Sequence, residues 1–441
     1  MAYFWESLAP VEKSAILRGI AEARALAPPR VVEISWQDKC NIDCFFCSTA
    51  ELRAGDREIP RERLERLFDE MGKLGVGAVR LMGGGEPLFR RDAVELVESL
   101  ARRGLRVADV TTNAVLLGER LVRALFAAGC DQITVSLNTA SSESYAMMMQ
   151  TAARNFDRVV ENVRAAARIK REMGARCRIR LQFLLYKENF RQIPEMYRLF
   201  RQSGADSFYF NGLYTMRPMP MMSEDEINEM LDLYEGVVMR DGLKGLESFS
   251  FWERPIRDRI DAATRRGFAR GPLRRRALVK WREVFDPGAG KEREAASLHE
   301  FCFAGWYSMA VNANGDAVTC CILQDRPSAV LGNIHRQSLE EIWNGAAYGR
   351  FRGELREIMA RKGNVPGFEH ACSVVGVCAE TGACPVRSYY WNDDLVFRRD
   401  FHRMVEDLDA PGGKPFATLP RGGSLSLPSH PAAGSLAGKG A

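Results

Sequence analysis

Apolar and polar positions change period repeatedly between residue 31 and about residue 215. VVEISW (31–36) is a β-branched run bounded by Pro29, and RERLERLFDEMGKLG (61–75) follows with apolar residues at helical spacing and a glycine stop. AVRLM (78–82) returns to strand and RDAVELVESLARRG (91–104) to helix. The rhythm continues through RVADVTTNA (106–114), ERLVRALFAAG (119–129), QITVSLN (132–138) and one long helix covering roughly 142–172. RIRLQFLLY (178–186), NFRQIPEMYRLFRQSG (189–204) and SFYFNGLY (207–214) complete it, with a last helix expected within 223–240. Such alternation predicts a parallel sheet wrapped in helices, an α/β fold. The strands are short, which suits a barrel or partial barrel better than a wide open sheet.

Outside that core the pattern changes. Residues 1–29 read as an N-terminal helix, 30–245 as the barrel and 246–299 as a basic, helical linker with a solvated face. A second cysteine-rich region is expected at 300–395, and 408–441 is dominated by Pro, Gly and Ser, so a disordered tail is expected there.

Composition narrows the function classes. A formal charge of +5 spread over 441 residues argues for neither nucleic acid nor membrane as a partner. The N-terminus has no basic leader followed by a sustained apolar run, and no stretch reaches eighteen apolar residues. A cytoplasmic, non-membrane protein is expected. Its eleven cysteines then point to metal or redox chemistry rather than disulfides.

Three of those cysteines stand at C-x3-C-x2-C spacing directly after the first strand: Cys40, Cys44 and Cys47. In α/β barrels the loops at the C-terminal ends of the strands carry the chemistry. Thiolates are soft ligands for zinc or iron–sulfur clusters, but a structural zinc wants four ligands and no fourth cysteine is near. A four-iron cluster held by three cysteines keeps one iron open for a small chelating molecule.

The run Cys40-x3-Cys44-x-Phe46-Cys47 resembles the signature of the radical S-adenosylmethionine (radical SAM) enzymes. GGGEPL (83–88) resembles the family's glycine-rich SAM motif, TTNA (111–114) its T-N-G segment and VSLNT (135–139) its S-L-D-G segment, in order and at successive strand ends. The resemblance covers about residues 30–215 and implies a partial (β/α)6 TIM-like barrel with a small C-terminal auxiliary-cluster domain. It further implies that Cys40, Cys44 and Cys47 bind three irons of a SAM-binding 4Fe–4S cluster. The backbone of Gly84 and Gly85, together with Glu86, is then expected to meet the methionyl amine. Asn113, Ser136 and Asn138 are expected to hold the ribose and carboxylate. Two positions depart from the family pattern: Ala114 replaces a glycine and Asn138 an aspartate.

On the fifth strand, Arg178, Arg180 and Gln182 alternate with Ile179, Leu181, Phe183 and Leu185. Period-two alternation puts the apolar set against the helices and the polar set inside the barrel. Arg180 and Gln182 are candidate ligands for SAM or substrate, or else satisfy other polar groups inside; Tyr209 and Asn211 could line the substrate pocket. All five histidines lie outside the barrel strands, which weakens any hydrolytic mechanism. Cys130 and Cys177 read as buried packing residues.

The second cysteine group opens with Cys302, and the pattern C-x12-G-x4-C ends at Cys320 with Cys321 adjacent. This segment, with LGNIHRQSLEEIWNG (331–345), resembles the hairpin of SPASM and twitch domains of radical SAM enzymes. The later Cys372, Cys378 and Cys384 depart from the full SPASM spacing. The resemblance therefore implies one auxiliary 4Fe–4S cluster on Cys302, Cys320 and two of the later three. Such a cluster could accept an electron from substrate, so the leading expectation is an oxidoreductase. A small molecule or carbohydrate-derived substrate is favoured, because only 39 residues precede Cys40 where leader-guided peptide maturases often carry a longer domain. A peptide or protein maturase is the alternative, and an iron–sulfur or zinc scaffold or electron carrier the non-enzyme one. An external donor such as flavodoxin or ferredoxin is implied as partner.

The two groups generate a metal-content test. Anaerobically reconstituted protein is expected to hold about eight irons, four per cluster, and replacing Cys40, Cys44 and Cys47 by Ala to remove about half. Stoichiometric zinc without iron charge-transfer absorption would contradict it.

Overall fold

The computed structural model of the chain describes residues 9–47, 49–53, 55–212, 223–241, 246–250, 304–324 and 326–360. The expected basic linker beyond 250, the late cysteine trio and the expected tail lie outside these residues, as does Cys302. The first half runs α1 (Pro10–Ala21), β1 (Val31–Ile34), α2 (Ala50–Arg53), α3 (Arg61–Leu74), β2 (Ala78–Leu81), α4 (Ala93–Arg102), β3 (Val107–Thr112), α5 (Glu119–Ala127) and β4 (Gln132–Ser136). It continues with α6 (Ser142–Met149), α7 (Arg154–Met173), β5 (Arg178–Leu185), α8 (Ile193–Ser203), β6 (Ser207–Gly212), α9 (Glu224–Asp241) and β7 (Leu246–Ser250). The C-terminal part supplies α10 (Ala304–Tyr307), β8 (Ser308–Val311), β9 (Asp316–Val318), β10 (Gly332–Asn333), α11 (Leu339–Trp343) and α12 (Ala346–Ala360).

Strands β1 to β7 pair in parallel in sequence order, each with the next, as βα units demand. The helices cover the outer face through stripes read directly from the sequence. Leu64, Leu67, Phe68 and Met71 of α3, and Leu96, Val97 and Leu100 of α4, are buried at helical spacing. Gly75 stops α3 in the left-handed conformation (φ +82°). Among the described residues no helix is long and apolar enough to cross a membrane.

Two features depart from the sequence reading. The long helix expected over 142–172 is broken: α6 ends at Met149, Gln150 caps it at φ +44°, and α7 starts at Arg154. The break leaves the Met148 and Met149 carbonyls without intrahelical partners, and the loop after β1 uses them. Asp43 donates to Met149 O (3.2 Å) and Phe45 to Met148 O (3.2 Å). The second departure concerns the C-terminal region. Its hairpin is continuous with the barrel sheet: β8 pairs in parallel with β1 (Val31 opposite Ser308, Glu33 opposite Ala310) and β9 antiparallel with β8. Among the described residues the sheet therefore reads β10-β9-β8-β1-β2-β3-β4-β5-β6-β7.

Side chains bolt this extension down. Arg63, buried on α3, donates through Nε to Ile334 O (2.6 Å), and Leu339 N donates to Glu70 (2.9 Å). The Trp343 indole donates to Ala27 O (2.9 Å), and Ser338 with Glu341 forms a capping box opening α11.

Inside the barrel, one layer below the strand ends, charges cross the sheet from strand to strand. Arg80 contacts Glu33 (2.5 Å) and Asp109 (3.4 Å). Thr134 donates to Asp109 (2.9 Å), Arg180 donates to Thr134 (3.0 Å), and the Arg180 guanidinium lies 4.8 Å from the Tyr209 ring centroid. Two acids and two bases balance in an interior where unpaired charge is costly. Arg80→Met would leave Glu33 and Asp109 buried without this counter-charge, so it is expected to destabilise the fold by roughly 3–5 kcal/mol. Arg120→Met, on a pair whose arginine is 77% exposed, should move stability by less than about 1 kcal/mol. Chemical denaturation of the anaerobic apoprotein measures both; equal shifts would contradict the buried network.

Candidate cluster and cofactor site

The loop leaving β1 carries Cys40, Cys44 and Cys47, all partly buried. Each sulfur faces a different element. Asn113 Nδ2, at the end of β3, lies 3.9 Å from Cys40 Sγ. Cys44 Sγ is 3.7 Å from Met149 Sδ at the end of α6. Cys47 Sγ is 3.3 Å from Thr49 Oγ1, which donates to Gly84 O (3.1 Å) after β2. Phe46 anchors the loop in the core, and Phe45 packs on it edge-on (5.4 Å between centroids) and on Tyr186 (5.5 Å). Among the described residues no three His, Cys, Asp or Glu side chains converge to hold a single metal ion.

The glycine run explains itself by what it touches. Gly84 N donates to Ser35 Oγ (2.7 Å), Gly85 N to Gln37 O (3.2 Å) and Glu86 N to Lys39 O (2.9 Å). A Cβ on Gly85 would stand 2.1 Å from Lys39 O, and one on Gly84 would stand 2.3 Å from Asp38 Oδ1. The missing side chains thus admit the backbone that leads into Cys40.

The Glu86 carboxylate turns toward β3, accepting from Thr112 Oγ1 (2.6 Å), Asn113 N (2.7 Å) and Leu88 N (3.1 Å). It ties the glycine loop to the β3 end. Burial pushes its carboxyl up to about 7 even though all three donors pull it down.

The remaining strand-end residues gather at the same rim. Asn113 also donates to Asn41 Oδ1 (2.8 Å) and accepts from Val115 N (3.0 Å). Ala114 and Asn138, the two departures from the family pattern, both have positive φ (+59° and +63°). The family's glycine suits the first conformation, and Asn tolerates the second. Asn138 is buried beside Met149 Sδ (3.8 Å), with Oδ1 lacking a hydrogen-bond partner. Ser136 and Gln182 face each other in register on β4 and β5, both partly buried. Arg180 stands one inward position below Gln182 and is engaged in the charge network. Sequence reasoning missed Met148, Met149, Thr49 and the wholly buried Tyr145, whose hydroxyl has no partner among the described residues. The signal was present in the run YAMMMQ, obscured by reading 142–172 as one helix.

In the C-terminal segment, Cys320 is buried with Val318 and Leu323. Cys321 points into the barrel, where burial and then the Glu33 carboxylate push its thiol well up. Cys302, Cys372, Cys378 and Cys384 lie outside the described residues.

The clasp between the glycine run and the cysteine loop makes a prediction. Gly85→Val forces the Cβ onto Lys39 O, so the variant should lose most of the iron held by Cys40, Cys44 and Cys47 after reconstitution, and SAM cleavage with it. Full iron loading with unaltered cleavage would show that the loop tolerates the side chain.

Comparison with known proteins agrees with this geometry. Residues 34–200 match the radical SAM superfamily, and residues 302–372 match SPASM, an iron–sulfur cluster-binding domain. The PqqA peptide cyclase of Gluconobacter oxydans is 28% identical over 338 residues, 74% of this chain and 80% of that protein. A probable GTP 3',8-cyclase of Saccharolobus islandicus is 29% identical over 220 residues, 49% of this chain and 68% of that protein. The crystal structure of Streptococcus suis SuiB bound to precursor peptide SuiA shares the fold at 18% identity and a TM-score of 0.54, covering 76% of this chain and 70% of that one. The matched domains imply a SAM-binding 4Fe–4S cluster, S-adenosylmethionine and auxiliary iron–sulfur as cofactors. The chain carries a radical SAM domain over residues 34–200 and a SPASM domain over residues 302–372.

Proposed function

We propose that the chain is a radical SAM maturase acting on a peptide or protein substrate. The observation that carries this is the reach of the likeness to the PqqA peptide cyclase, which spans 338 residues, against 220 for the GTP cyclase. It turns the balance away from the small-molecule or carbohydrate-derived substrate favoured by the sequence alone.

Cys40, Cys44 and Cys47 would each hold one iron, fixed from three sides by β3, α6 and the glycine loop. Gly84 and Gly85 would offer backbone groups to the methionyl end of SAM, with Glu86 as the residue that positions them. Asn113, Ser136, Asn138 and Gln182 would line the strand ends around the rest of it. When bound, the reduced cluster and SAM supply an agent that takes a hydrogen atom from substrate. Cys302, Cys320 and two of Cys372, Cys378 and Cys384 would hold one auxiliary 4Fe–4S cluster. A site able to take up an electron suits net oxidation of the substrate, and a flavodoxin or ferredoxin is the class of external donor.

The test uses reconstituted enzyme, dithionite, SAM and synthetic peptides from the short open reading frames adjoining its gene. One peptide should be modified with loss of two hydrogens, SAM should be used stoichiometrically, and deuterium from labelled peptide should remain in 5′-deoxyadenosine. Deuterium returned to product with SAM regenerated would remove the oxidation. Turnover of small molecules with every peptide untouched would remove the maturase.

A further inference from the structure

Gln324 is a buried amide that nothing among the described residues satisfies. It is 3% exposed, and neither its Oε1 nor its Nε2 has a hydrogen-bond partner among them. Native interiors rarely leave both ends of one amide unpaired, because each lost hydrogen bond to water is left uncompensated. The residue is held by its backbone: Asn312 Nδ2 donates to Gln324 O (3.0 Å), and Gln324 N donates to Cys321 O (3.4 Å).

Its place in the fold points to a ligand. Gln324 Oε1 lies 3.0 Å from where a Cβ on Gly83 would stand, and Ser35 borders the same point. Ser35, just past the end of β1, follows Glu33 by two residues and continues its alternation by donating from N to Val311 O (2.8 Å), so both face the barrel interior, and Cys321 contacts Glu33 there. The turn 321–324 of the SPASM segment therefore crosses the interior side of β1 and ends against the glycine loop. Asp38 Oδ1, also buried without a partner, lies on the neighbouring Gly84.

We infer that Gln324 is a substrate-binding residue, contributed by the C-terminal domain, that pairs with a backbone amide of a peptide substrate. The inference rests on the maturase reading and deepens it. A carboxamide presents one acceptor and donors in a single plane, and a peptide group presents the complementary C=O and N–H in the same way. The methionyl end of SAM separates these functions. Its carboxylate only accepts and its ammonium only donates, so each alone would leave one end of Gln324 unpaired, and SAM affinity in the variant separates the two ligands. On the next glycine, Asp38 Oδ1, whose partner oxygen accepts from Arg57 Nε (2.8 Å), offers a further acceptor for a peptide N–H.

The test compares reconstituted wild-type holoenzyme with Gln324→Met, an unbranched apolar replacement of similar length. The probe is a library of capped random decapeptides passed over immobilised holoenzyme with SAM, with capture read by mass spectrometry. Thermal midpoint and SAM dissociation constant are measured alongside. The expected result is a midpoint equal to or above wild type, SAM affinity within two-fold, and peptide capture reduced at least ten-fold. A midpoint several degrees lower would mean that the amide has a structural partner, and a ten-fold weaker SAM affinity would make Gln324 a cofactor ligand; undiminished capture would show that peptides bind elsewhere. Each of these overturns the inference while leaving the maturase reading standing. Failure of the wild-type enzyme to retain any peptide would overturn both.

Discussion

Two backbone hydrogen bonds, from Gly85 N to Gln37 O and from Glu86 N to Lys39 O, are the constraint on which the candidate site depends. They join the loops that leave two neighbouring parallel strands, where no strand pairing remains to do so. The approach is close enough that a single methyl group on Gly85 would collide with Lys39 O at 2.1 Å. Everything that would handle the cluster and SAM hangs from this clasp. The cysteine loop follows Lys39 directly. Glu86, fixed by the same clasp, reaches across to the β3 end, and Asn113 there lies against Cys40.

The barrel separates structural from chemical polarity by depth. Below the rim, Glu33, Arg80, Asp109, Thr134 and Arg180 neutralise and hydrogen-bond one another across five strands. Buried charges persist only where they are paired. At the rim, among the described residues, Asn138 Oδ1, Asp38 Oδ1 and both ends of Gln324 are buried without partners. Groups that the fold leaves unsatisfied at one end of a parallel barrel are available to something that binds there.

The SPASM hairpin solves a problem created by an incomplete barrel. An open parallel sheet exposes the edge of β1, with unpaired backbone groups beside the cysteine loop. Strand β8 covers that edge, and the turn after β9 brings Cys321 and Gln324 onto its interior side. The auxiliary-cluster region is thereby welded to the wall of the catalytic barrel, with Arg63 and Trp343 holding it in place.

The sequence by itself determined the strand–helix alternation, because helix stripes and β-branched runs are local patterns that burial then reinforces. It also determined that Cys40, Cys44, Cys47, the glycine run, Asn113 and Asn138 share one rim, since each follows a strand of a parallel sheet and parallel strands end on one side. Tertiary structure decided what those residues touch. Glu86 turns its carboxylate to the end of β3, where Thr112 and Asn113 donate to it. Arg180 reads in sequence as a ligand or as a partner for other inward polar groups, and Thr134 and Asp109 from two other strands engage it. The helix pattern over 142–172 continues through Gln150, but the cysteine loop takes the carbonyls that the break sets free. Gln324 has no local signature at all: a glutamine after two cysteines becomes informative only when long-range packing buries it and supplies no partner. Periodicity reports which face a residue is on, and only the packed chain decides who else is there.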